Sequence, residues 1–94
     1  MEEDREKAII PVVGKDKVGI IAKVCNYLAE HNINIMDISQ TIVDGYFNMM
    51  MIVCLDNMAG GFDEVNDGLY ELSKIIGVSI KFQHANIFEE MHRI

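Results

Sequence analysis

The chain has 94 residues, half of them apolar, with eight Lys and Arg against fifteen Asp and Glu, for a net charge of −7. That length makes one domain, which buries roughly 60–65% of its unfolded surface and has little stability to spare. The charge argues against a sequence-independent grip on nucleic-acid phosphates or anionic membranes, and no apolar run approaches the ~20 residues of a membrane span.

Residues 1–6 are almost wholly charged and read as a disordered acidic tail. Their acidity is the opposite of a basic secretory leader, so the expected location is cytoplasmic. Residues 7–13, KAIIPVV, form a short β-branched apolar run that predicts a strand buried on both faces. The stretch GKDKVGIIAKVCNYLAEHNINI, residues 14–35, then reads as loop, amphipathic helix and return strand. Ile20, Val24 and Leu28, joined by Ile21 and Cys25, repeat at three to four residues and draw one helical face over residues 18–31. Asn32 suits the left-handed turn that ends this helix.

Residues 33–43, INIMDISQTIV, and 46–55, YFNMMMIVCL, flank the dipeptide Asp44-Gly45, the sequence signature of a two-residue hairpin. Phe62, Val65, Leu69, Leu72 and Ile76 mark a second amphipathic helix, stopped by Gly77. Val78, Ile80 and Phe82 alternate with Ser79, Lys81 and Gln83 in a half-buried last strand, and Ile87, Phe88, Met91 and Ile94 fit a short closing helix.

The order is β-α-β-β-α-β, which predicts an α+β, ferredoxin-like domain over residues 7–94. Two helices cover one face of a four-stranded antiparallel sheet. The first and third strands are central in this topology and apolar on both faces. The uncovered apolar area is therefore expected over strands one to three, facing a partner subunit or the closing helix. Self-association into a homo-oligomer follows as an expectation.

The loop of residues 14–19 opens directly into a helix, whose first N–H groups and positive dipole end suit an anion such as a carboxylate. Its glycine spacing is that of a phosphate-binding loop, but Ile20 and Ile21 stand where Lys and Ser or Thr belong, so the nucleotide reading fails. Two readings remain open for Gly14 and Gly19: a ligand loop, or a tight turn with close helix packing. Lys15 and Lys17 either draw an anion or are solvated, and Asp16 serves equally well as an N-cap. His31, His84 and His92 have no ligand spacing, and the Met36, Met49, Met50 and Met51 cluster reads as core or interface filler. No metal, cofactor or catalytic constellation is legible, so a non-enzyme is expected, and Cys25 and Cys54 read as reduced core thiols.

The turn GKDKVGIIAKV, the NINI that follows it and the element order resemble an ACT domain. Residues 7–94 are similar to small stand-alone single-ACT-domain proteins, with VVGKDKVGI, NINIMDISQT and IFEEM the most family-like stretches, and to the ACT halves of the glycine cleavage system transcriptional repressor. The resemblance implies a regulatory module that binds an amino acid or similar small carboxylate at a subunit interface. Its effector site lies where the strand-one-to-helix-one loop of one subunit meets strand two of another. The matching positions are Gly14, Lys15, Asp16, Lys17, Val18, Gly19 and Ile20, with Asn34 and Asp37 across the gap. Backbone N–H groups near Lys17 to Ile20 would take the ligand carboxylate, and Asp16, Asn34 or Asp37 its ammonium or another polar group. The alternative is an interaction adaptor with no small-molecule ligand. Two positions depart from the pattern: many ACT domains have Pro where Val18 stands, and Pro11 sits inside a central strand, predicting a bulge or irregular pairing in strand one.

Overall fold

The computed structural model describes residues 6–15 and 17–85. Asp16, the tail 1–5 and the expected closing helix of residues 87–94 lie outside the described residues. The elements are β1 (Lys7–Lys15), α1 (Ile20–Glu30), β2 (Asn34–Val43), β3 (Tyr46–Cys54), α2 (Phe62–Ile76), β4 (Ser79–Ile80) and β5 (Gln83–His84). The sheet runs β2-β3-β1-β4, with β5 also on β1 and every pairing antiparallel. This is the ferredoxin-like architecture expected from the order of elements.

The expected last strand appears as two short pieces, and Pro11 is the reason. Val12 and Val13 pair with Ile80 and Ser79, and Ala8 and Ile9 pair with His84 and Gln83, in one continuous register. Between them Lys81 donates its N–H to the Pro11 carbonyl at 3.0 Å. Pro11 has no N–H to return, so the ladder breaks there.

The irregular pairing anticipated in β1 is confined to its β4–β5 side, and no bulge forms against β3. β1 pairs with β3 without a shift from Lys7↔Cys54 to Lys15↔Tyr46. The register shift falls in β2 instead, where Met36 is the extra residue between the Ile35/Val53 and Asp37/Ile52 pairs. The β2–β3 hairpin closes on Asp44 and Gly45 at φ 53° and 78°, the all-positive pattern of a type I′ turn.

One core lies between the sheet and both helices. Ala8, Ile10 and Val12 of β1 alternate inward with Phe47, Met49, Met51 and Val53 of β3, and Ile20, Val24, Leu28, Val65, Leu69 and Ile76 close over them from the helices. Each such aliphatic side chain contributes about 1.5–3 kcal/mol by leaving water. Phe62, the first residue of α2, stacks against both Phe82 and His84 at centroid distances of 4.3 and 4.2 Å and fixes the helix start to the last strand.

The two helices meet through a contact that the hydrophobic period does not reveal. Tyr27 of α1 donates its hydroxyl to the Val65 carbonyl at 3.2 Å. The same hydroxyl fills the space where a Cβ on Gly68 would stand, so α2 needs a glycine there despite its poor helix propensity.

The uncovered apolar area is interrupted by polar residues. On the helix-free face Val13 and Met50 are each 44% exposed and Val43 and Tyr46 more than half exposed, but Asp37, Ser39 and Thr41 of β2 lie among them on that side. The apolar residues Ile38 and Ile42 of β2 sit on the helix side, opposite Met51 and Phe47, and are nevertheless 40% and 54% exposed. The helix layer stops short of this edge strand.

Gly68→Ala is expected to destabilise the protein, because overpacking against the Tyr27 ring costs about 1–3 kcal/mol while the helix-propensity gain offsets only about 1; urea denaturation reads the difference, and Tyr27→Phe in the same chain recovers part of it. Burial and then the charges of Glu64, Glu30 and Asp67 raise the Tyr27 pKa above its ordinary 10.0. Its contribution is therefore whole below about pH 10 and fades as pH climbs through the folded-state value. Stability measured against pH should fall more steeply on the alkaline side than it does in Tyr27→Phe.

Candidate functional site

The mouth of α1 is shaped by Gly19. At φ 92° and ψ 0° it holds a left-handed conformation that delays the helix start to Ile20, two residues later than the sequence period implies. The first intrahelical bond runs from the Lys23 N–H to the Gly19 carbonyl at 3.0 Å. The amides of Ile20, Ile21 and Ala22 precede it, Gly19 makes no side-chain cap, and the first turn carries no acidic residue. Among the described residues no side chain caps them, and three donors face outward together with the positive end of the helix dipole.

The loop residues divide into distinct roles. Gly14 is a close-approach glycine: a Cβ there would stand 2.7 Å from Val78 Cγ1 and 3.1 Å from the Val78 backbone. The packing reading of Gly14 therefore has a physical basis in this fold. Lys17 donates its ammonium to the Ile76 carbonyl at 3.2 Å, where it caps the C-terminus of α2. Ile20 is buried, so only its backbone N–H faces outward. Lys15 is exposed at the end of β1, opposite Tyr46, and Val18 stands fully in solvent.

Lys17, Val18, Ile20, Lys23, Ile75 and Ile76 line a shallow notch of about 190 Å³ beside the helix mouth. Lys23 and Ile75 were not among the residues expected there. Lys23 was detectable in principle, as the residue one helical turn beyond Gly19, but Ile75 reaches the notch only because α2 ends next to the loop.

Asn34 and Asp37 are not at this end of the sheet. Asn34 pairs with Cys54, which pairs with Lys7, so it lies about 23 Å along the strand direction from Gly14. Asp37 pairs with Ile52, beside Ile9, about 17 Å from Gly14 by the same measure. Within one chain the two halves of the expected site are at opposite ends.

Asn34 instead lines a polar recess of about 270 Å³ with Asn32, Cys54, Asp56 and Asn57. Its wall is set by the Asn32 amide donating to the Asn57 carbonyl at 3.0 Å and by Asp56 accepting the Glu6 N–H at 3.0 Å.

Among the described residues no group of three or more His, Cys, Asp or Glu is placed to hold a metal ion. Cys25 and Cys54 are free, and burial raises the Cys25 pKa, which keeps its thiol protonated and poorly nucleophilic. No described helix is long and apolar enough to cross a membrane.

A family model described as an ACT domain matches residues 6–83. A UPF0237 protein of Bifidobacterium longum is 58% identical over 88 residues, which make up 94% of this chain and 98% of that protein. An ACT domain protein from Streptococcus pneumoniae superposes with a TM-score of 0.79 at 44% identity, covering 92% of this chain and 97% of its own. A structure assigned as a glycine cleavage system transcriptional repressor has a TM-score of 0.72 at 19% identity, covering 86% of this chain and 46% of that one, which is a likeness of fold. The matched stretch runs from just before β1 to the start of β5 and takes in both helices and the Gly19 helix mouth, and on that match the chain belongs to the ACT domain family.

Proposed function

We propose that this protein is a non-enzymatic ligand sensor that binds an amino acid or similar small carboxylate at a subunit interface. ACT domains are commonly regulatory ligand-binding domains, which supports the class of function. The single observation that carries the reading is the mouth of α1, which no described side chain caps. The outward amides of Ile20, Ile21 and Ala22 lie beside Lys23 and open onto a notch with aliphatic walls. A carboxylate on those amides gains the dipole and charge-assisted hydrogen bonds, while the aliphatic walls receive apolar parts of the ligand.

The separation of Asn34 and Asp37 from this mouth supports an interface site. A ligand ammonium held at the α1 mouth cannot reach either side chain of the same chain, so in this reading Asn34 or Asp37 acts from a second copy, whereas Asp16 belongs to the same loop. Free Cys25 and Cys54 suit a reducing compartment, and a cytoplasmic setting is part of this reading.

The adaptor alternative draws support from a different feature, the exposed Ile38 and Ile42 of β2. It predicts partner binding that survives changes at the helix mouth and collapses when a charge is placed on β2.

A thermal-shift screen across the amino acids tests the sensing reading directly. A ligand at about one hundred times its dissociation constant adds about 2.7 kcal/mol of stability, and no shift with any amino acid at millimolar concentration overturns the proposal. Gly19→Val is expected to abolish the shift, since a β-branched residue is strained at φ 92° and reshapes the helix mouth. Lys17→Met provides the contrast. It removes the cap on Ile76 and lowers stability by about 0.5 kcal/mol, yet leaves the shift in place because its ammonium is already engaged.

A further inference from the structure

The helix-free face of the sheet is open at one end and shielded at the other. Ile9 of β1 and Cys54 of β3 project to that face, because they alternate with Ala8, Ile10 and Val53 of the core. They are nevertheless only 8% and 7% exposed, and neither belongs to the cluster that the helices close over. Ile52, which pairs with Ile9, is half-buried as well. Val13 and Met50, farther along the same face, are much more open. Both described helices lie on the opposite side of the sheet, so neither supplies the cover over Ile9 and Cys54.

The described chain leaves the sheet at the shielded end. β5 pairs with β1 at Ala8 and Ile9, which sets Gln83 next to Ile9 on the helix-free side, and Ala85 is already helical. Nine residues follow, NIFEEMHRI. Ile87, Phe88, Met91 and Ile94 fall on one helical face, with Glu89 and Arg93 on the other. As a helix the nine residues extend about 14 Å, which matches the three strand spacings of about 4.8 Å from β5 across β1 and β3 to β2. Charge agrees with this placement. Lys7 and Lys81 stand on the helix-free side near the exit, since Lys7 alternates with Ala8 and Lys81 with the buried Ile80 and Phe82, and the segment carries Glu89 and Glu90.

We infer that residues 86–94 fold back as an amphipathic helix on the helix-free face, covering Ile9, Ile52 and Cys54 and leaving Val13, Met50 and Tyr46 open. The tether favours this occupant over a second copy. The segment starts beside Ile9, where a short connection gives it an effective concentration on the order of millimolar without any second molecule. A second copy stacking on this end of the face would first have to displace it. The α1 mouth and its notch lie at the far end of β1, so the cover leaves them free, and the inference stands apart from the sensing proposal.

Thiol labelling of the full-length protein carrying Cys25→Ser reads the cover directly, because Cys54 is then the sole thiol. Phe88→Ser combined with Met91→Ser is expected to raise the Cys54 labelling rate by about tenfold or more, with hydrogen exchange of the β1 and β3 amides unchanged. Unchanged exchange separates release of the segment from unfolding of the sheet. Arg93→Gln, on the polar face of the segment, is expected to label at the parent rate. A rate unmoved by the double variant overturns the inference, and so does protection that is lost on dilution, which would assign the cover to a second copy. If the double variant loosens the sheet or fails to fold, the wild-type protein decides by NMR. Nuclear Overhauser contacts from Phe88 and Met91 to the methyl groups of Ile9 and Ile52 are then expected to persist on dilution, and their absence sinks the docking.

Discussion

Pro11 has no N–H to donate, and its carbonyl is taken by Lys81; from this local fact the hydrogen-bonding phase of the sheet follows. Because Pro11 faces its missing bond toward the short β4–β5 edge, β1 keeps an unbroken ladder with β3 over its full length. A proline one residue earlier or later would have turned the gap toward β3 and broken the centre of the sheet. The same phase, carried across β3, decides which groups of β2 bond to β3 and which face outward. Sheet interior and sheet edge are thus governed by one residue in the central strand.

The second organising contact joins the helices. Tyr27 lies across Gly68 and bonds the Val65 carbonyl, drawing α1 and α2 together over β1 and β3. Helices held that close cannot also spread over β2. The exposure of Ile38 and Ile42, on the helix side of a strand that no helix covers, is the consequence. At the other end of α2, Lys17 and Gly14 bring the loop before α1 against the turn before β4, and the notch at the helix mouth forms where they meet. Packing choices made for the core therefore shape both the exposed edge of β2 and the notch at the helix mouth.

Electrostatics act on the same frame. Asp63 and Glu64 sit in the first turn of α2 and Lys74 in its last, each matching the helix dipole. The first turn of α1 has no such acidic partner, which leaves its positive end unanswered within the described chain. In a protein of net charge −7, an uncompensated positive helix end beside Lys23 is a local exception to the overall field.

The sequence by itself determined the order and type of the elements. The 3.6-residue period of Ile20, Val24 and Leu28, the alternation around Met49 and Met51, and the Asp44-Gly45 turn are local signals whose physics acts within a few residues. ACT membership was legible for the same reason, since the glycine loop and NINI are contiguous. Tertiary structure decided what depends on residues distant in the chain. The split of the last strand needed Pro11 to face Lys81, and the bulge at Met36 appears only in the register with β3. Gly14 was ambiguous until Val78 stood over it, and Gly68 carried no signal until Tyr27 crossed it. Most consequentially, Asn34 and Asp37 follow the helix that the loop begins, yet the fold leaves them at the opposite end of the sheet from that loop. Proximity in sequence reports local conformation, whereas a binding site is made by folded distance.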